Sequence, residues 1–226
     1  MSVELTNFNT ELLARKGTTP IRETADGVVE KIWAARDGSV ITMPWLLAMA
    51  MEGRVFNCSL ASTATKMTGA VDYGATHPGI CMVIPTGSTM IPVHLDVHCQ
   101  DAAGTDTSIV VMVDSGDLYA SGGTAVAAVT NLRTDSPYAS VVTKKYASDS
   151  AITITDPGIG ETILYTYENA FADATTSPPM ILDWNPMPPP VLVGPATFLV
   201  YTYATTTAVE FGFSIQWVEL PSNSIV

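Results

Sequence analysis

The closing segment 208-AVEFGFSIQWVEL-220 constrains the fold more than any other part of the chain. Val209, Phe211, Phe213, Ile215 and Trp217 alternate with Glu210, Gly212, Ser214 and Gln216. Strand side chains point to opposite faces with period two, so the pattern predicts a long strand with one buried face. Such a strand needs a sheet to receive it and a second layer to cover its aromatic side.

Other runs have strand length and composition. They are 54-RVFNCSLA-61, 80-ICMVIPTGSTMIPVHLDVHC-99 broken at Pro85-Thr86-Gly87, 107-TSIVVMVD-114, 124-TAVAAVTNL-132, 138-YASVVTKKYA-147, 151-AITITD-156 and 162-TILYTY-167. The run 107–114 is apolar on both parities, as a strand covered on both faces would be. In 162–167, Ile163, Tyr165 and Tyr167 fall on one face. The run 197-TFLVYTYA-204 is expected to pair with the closing strand as a hairpin. Residues 27–40 read as strand, Asp37-Gly38 turn and strand, and 62–79 as a surface loop rich in turn formers. The piece 43-MPWLLAMAMEG-53 suits a short helix or a buried strand, and periodicity does not separate the two.

With no long helices between these runs, the predicted class is all-β: an antiparallel β-sandwich, in jelly-roll form, with an extended N-terminal arm. Residues 1–26 form the arm and 27–226 a single sandwich domain. A proline-rich segment at 178–195 lies within it. Such a run makes a stiff, extended segment unsuited to a sheet interior and fit to wrap a neighbour or span a gap between sheets.

The balance of 22 acidic against 10 basic residues, net −12, and the absence of any Lys or Arg run argue against direct nucleic-acid binding. Charged residues make up 14% of the chain, well under the usual quarter. A surface of small neutral residues suits a protein packed against copies of itself. Cys58, Cys81 and Cys99 lack ligand-like spacing. The first residues lack the apolar stretch of a signal peptide, and 41–51 is too short to span a bilayer. The expectation is a protein made without a cleaved leader and without a membrane partner.

The densest group of ionisable residues is 93-VHLDVHC-99. On a strand, His94, Asp96 and His98 share one face, and Val93, Leu95, Val97 and Cys99 share the other. The three form a candidate metal set, with zinc bound by imidazoles and Asp96 ligating or orienting them. The competing reading makes them the solvent or subunit face of an ordinary strand. Of other histidines there is only His77, in the 62–79 loop with Asp72. The tripeptide 114-DSG-116 after IVVMV is similar to an aspartic-protease loop, but Asp117 follows where Ser or Thr belongs, and a turn closing a strand is the simpler reading. Asp101, Asp106, Asp114 and Asp117 could gather around calcium, without EF-hand spacing. There is no Gly-x-Ser-x-Gly elbow, Walker loop or dinucleotide fingerprint, so no catalytic residue and no cofactor is predicted.

The runs 80–99 and 197–220, the Ser- and Thr-rich loops, the N-terminal arm and the acidic composition together resemble the β-sandwich, jelly-roll-like structural proteins of viruses and bacteriophages. The resemblance implies an assembly subunit of a virion (capsid, decoration, vertex or fibre-associated) that is made in the host cytoplasm. It implies partners in copies of itself, a trimer first, and in other virion proteins. Only Arg15, Lys16 and Arg22 lie in the arm, which points to an outer or minor component, or to a shell whose interior contact with the genome is slight. Two alternatives are a jelly-roll metal-dependent enzyme using His94 and His98, and a carbohydrate-binding β-sandwich presenting Tyr165, Tyr167, Tyr201 or Tyr203.

Overall fold

A computed structural model describes residues 44–60, 66–70, 74, 76–99, 107–127, 129–148, 151–155, 162–169, 181–204 and 209–222. The arm at 1–26, the strand pair about Asp37-Gly38, and Asp72, Asp101 and Asp106 lie outside these residues.

Two antiparallel sheets pack face to face. The first runs β12 (Ile181–Trp184), β4 (Ser88–Cys99), β15 (Glu210–Pro221), β1 (Val55–Leu60) and β8 (Val129–Asn131). Beside β4 lies β13 (Leu192–Val193), and beside β15 lies β2 (Met67–Thr68). The second runs β11 (Thr162–Asn169), β5 (Thr107–Asp114), β14 (Ala196–Ala204), β3 (Ile80–Ile84), β9 (Thr143–Tyr146) and β7 (Thr124–Ala125). A separate ribbon joins β6 (Tyr119–Gly122) to β10 (Ile152–Ile154).

Eight of these strands pair in a nested order. In chain order β1, β3, β4, β5, β11, β12, β14 and β15, the first pairs the eighth, the second the seventh, the third the sixth and the fourth the fifth. Contacts of β15 with β4 and of β14 with β5 then join the nested pairs into two sheets.

The alternation of the closing strand is borne out: Phe211, Phe213, Ile215 and Trp217 enter the core between the sheets. There Trp217 stacks on Phe56 with ring centroids 6.0 Å apart, and Trp184 stacks on Phe198 at 6.1 Å. Each such side chain contributes roughly 1.5–3 kcal/mol by leaving water. The double-sided apolar character of β5 is also explained. Ile109 and Val111 face the core, while Val110 and Met112 face a second cluster in which Ile152 and Ile154 of the ribbon cover the outer side.

The ambiguous 43–53 piece is a helix, α1 (Trp45–Met51), preceded by Pro44 and rich in good helix formers. It lies on the outer face of the first sheet, where Met49 packs with Val55, Ile91, Val218 and Leu220.

Several expectations are corrected. The final two strands do not form a hairpin, because β14 pairs β3 and β5 in one sheet while β15 pairs β4 and β1 in the other. Both are interior strands whose backbone groups need partners on two sides, and long-range neighbours supply them. The run 124–132 splits into β7 and β8, in different sheets, and 138–147 contributes only β9. Two bulges break the simple alternation. In β4 the register slips so that Gln216 opposes His94 and Trp217 opposes Pro92, leaving Val93 as the extra residue. Val93 therefore packs with the outer cluster under α1 instead of sharing a face with Leu95 and Val97. In β11 Ile163 opposes Met112 while Tyr165 opposes Val111, so Ile163 and Tyr165 do not share a face. Over its described residues, 181–195, the proline-rich segment stays out of the sheet interiors. Its two short strands line the edge of β4, and between them Met187 is 94% exposed.

Candidate functional site

The bulge at Val93 divides the outer face of the first sheet into an apolar half under α1 and a polar half. His94, Asp96 and His98 stand in the polar half on β4, with Ser214 and Gln216 beside them on β15 and Asn57 on β1. Leu95 and Val97, between the three, are fully buried in the core. Asp183 of β12 lies directly opposite Asp96, and its Oδ1 is 3.1 Å from His94 Nε2. Asn185 Nδ2 donates to the same oxygen. Ser214 Oγ donates to Asn57 Oδ1 at 3.3 Å. Asp96 Oδ1 is shielded from solvent and accepts no hydrogen bond from the described residues.

This is a row more than a chelate. Residues four apart on a strand lie about 13 Å apart at Cα, so His94 and His98 do not converge by alternation alone. Among the described residues, no group of three or more His, Cys, Asp or Glu side chains is placed to hold a metal ion. His77 stands instead in a shallow cleft with Pro78, Gly79 and Ser148, its Nδ1 3.0 Å from Thr76 Oγ1.

The aspartates of the Asp-Ser-Gly turn spend their oxygens locally. Gly116 N donates to Asp114 Oδ1 at 2.8 Å, and Tyr119 N donates to Asp117 Oδ1 at 3.1 Å. Thr197 Oγ1 donates to Gly116 O at 2.6 Å, so the turn is pinned to β14. These contacts close the strand as a turn.

A second polar cluster went unnoticed in the sequence. At one end of the sandwich Glu219 is buried and accepts hydrogen bonds from Trp217 Nε1 at 2.7 Å, Val141 N at 2.9 Å and Ser140 Oγ. Lys144 Nζ donates to Ser140 Oγ at 2.6 Å and lies 5.6 Å from the Trp217 ring centroid. Burial holds the Lys144 ammonium below its ordinary range, and the Glu219 carboxylate pulls it back up. Beside it a cleft of about 240 Å³ is lined by Arg54, Tyr138, Val141 and Pro221, with the Arg54 guanidinium 3.7 Å above the Tyr138 ring. The signal was present: position 219 continues the inward series 211, 213, 215 and 217, so a carboxylate there had to enter the core and find donors.

No protein-family model matches the sequence, and no curated protein sequence is significantly similar to it.

Cys58 and Cys81 offer no nucleophile. Burial pushes the thiols of Cys58 and Cys81 up to about 12; Lys144 draws the first down slightly and Asp117 adds to the second. A thiol so placed stays protonated and inert at neutral pH. The four tyrosines do not make one platform either. Tyr201 is buried, Tyr203 packs against the outer cluster of the second sheet, Tyr165 is exposed on the edge strand β11, and the side chain of Tyr167 lies outside the described residues. No helix of the described residues is long and apolar enough to cross a membrane.

Proposed function

We propose that this protein is a structural assembly subunit of a virus or phage particle, working through subunit contacts and not through catalysis. The nested pairing of first strand with eighth through fourth with fifth carries the reading, because it is the order produced when a long antiparallel hairpin is rolled into a jelly roll. Jelly rolls serve in viral capsid proteins, as well as in lectins and cupins. Three features favour the first use over the others. His94 bonds to Asp183, and Asp114 and Asp117 bond to the amides of their own turns. The chain is poor in charged residues. The proline-rich segment holds Met187 out to solvent along the β4 edge, where a stiff strap can bind a neighbour at low ordering cost.

On this reading the partners are copies of the chain, a trimer first, together with other virion proteins, and the site of action is the virion after synthesis in the host cytoplasm. Closed symmetry would satisfy the exposed edges of β11 and β12 without open-ended growth. The test is native mass by size-exclusion chromatography with light scattering across protein concentration and pH, with electron microscopy of the heaviest species. A discrete closed oligomer or particle, weakened by Met187→Asp, is the expected result. A monomer at every concentration, or one carrying a stoichiometric transition metal or glycan, would overturn the reading.

A further inference from the structure

The apolar half of the first sheet's outer face is wider than the helix that covers it. Val55 opposes Val218 and Val218 opposes Ile91, a row of aliphatic side chains that α1 buries. The row continues past α1 on both sides. Val191 follows in register beside Ile91, one residue before the Leu192–Met90 pair, and Leu132, whose amide donates to Val55 O at 2.9 Å, follows beside Val55. Both are half exposed, at 50% and 46%. The outward side of α1 adds Trp45, Leu47 and Met51, each about as exposed. Together they make an apolar belt across the full width of the sheet, larger than the scattered apolar residues an ordinary surface carries.

We propose that this belt is the docking surface for residues 27–43 of the same chain. The inference stands apart from the particle reading and concerns the chain alone. Three observations point to this occupant. Residue 43 is bonded to Pro44 at the start of α1, so the preceding segment is delivered to the belt at high effective concentration. The segment carries apolar side chains for it: Val28, Val29, Ile32, Trp33, Val40 and Ile41. Charge also agrees. Residues 27–43 hold Lys31 and Arg36 against Glu30 and Asp37, a net of zero, so the segment meets the acidic remainder of the chain without repulsion. Length suffices, since the stretch from residue 28 to residue 43 can reach about 50 Å when extended, whereas five strands span only about 19 Å.

The experiment places a photo-crosslinking phenylalanine derivative at Val191 or at Leu132 in the full chain, mixes unlabelled with ¹⁵N-labelled protein, and maps the adducts by mass spectrometry. The expected adducts join position 191 or 132 to residues 27–43, with both peptides carrying the same label at every dilution. Val29→Asp combined with Ile32→Asp should cut their yield roughly tenfold, as loss of a buried aliphatic contact would. Mixed-label adducts, adducts to other segments, or no adducts in protein whose circular dichroism is unchanged would overturn the proposal. The oligomer assay for the particle reading can fail or succeed without moving this result.

Discussion

Replacing Glu219 with alanine removes the acceptor on which the end of the sandwich is organised. The carboxylate is 6% exposed and takes hydrogen bonds from the Trp217 indole, the Val141 amide and the Ser140 hydroxyl. Val141 lies at an exposed position, so its amide can turn to water, but Trp217 is fully buried and its N–H has nowhere to go. An orphaned buried donor costs about 1–3 kcal/mol, and bonds to a charged acceptor sit in the upper part of the range. Lys144 also loses the countercharge that opposes its burial. The expected loss is about 3 kcal/mol, read by urea denaturation followed by far-ultraviolet circular dichroism, because indole fluorescence is itself perturbed. Glu219→Gln keeps an oxygen for the indole and should fall between parent and alanine. In a Trp217→Phe background the donor is gone, so Glu219→Ala should cost less by about 1–3 kcal/mol, the coupling of the pair. A loss under about 0.5 kcal/mol, the level of an ordinary surface change, or a coupling near zero would refute the claim that this carboxylate anchors the 140–144 segment to the core.

Two glycines make a ranked test of the turns that carry the chain between sheets. A Cβ at Gly194 would lie 2.1 Å from Pro85 O and 2.8 Å from Ile84 O, while one at Gly87, at φ +87, meets nothing within 4 Å. Gly194→Ala should therefore cost more than about 2 kcal/mol in denaturation. Gly87→Ala should cost only the backbone strain of about 1 kcal/mol, and the reverse order would sink the argument. The thiol of Cys58 gives a pH prediction. It titrates near 12 when folded and near its ordinary 9.0 when unfolded, so its contribution is whole below pH 9 and is lost as pH climbs toward 12. Subtracting the pH profile of Cys58→Ala from that of the parent should leave a decline of up to about 1.4 kcal/mol per pH unit in that window. A flat difference would contradict the burial of the thiol.

Period-two alternation made the core legible wherever a strand was regular. Phe211 through Trp217 and the doubly covered β5 could be read from side-chain order alone. Alternation says nothing about which strand lies beside which. That is why 197–204 and 208–220, neighbours in the chain, were expected as a hairpin although each is paired by strands far away in sequence. The two bulges show a subtler limit. One extra residue at Val93 moves it from the expected core face to the outer cluster, and another in β11 parts Ile163 from Tyr165. A bulge costs only local ladder geometry, so composition hardly marks it, yet it inverts every facing that follows.

That inversion governs the candidate site. If β4 ran without its bulge, Ile91 and Val93 would put the apolar half of the face in register with Leu95 and Val97. One end of the strand would then carry aliphatic side chains to the wrong layer. The extra residue lets Ile91 and Val93 serve α1 while Leu95 and Val97 serve the core, and it leaves His94, Asp96 and His98 on the polar half of the same outer face. The opening between apolar belt and polar row thus follows from a single inserted residue. A segment docked on the belt would end where His94 and Asp183 begin, so the contact between these two side chains marks the boundary of the surface assigned to residues 27–43.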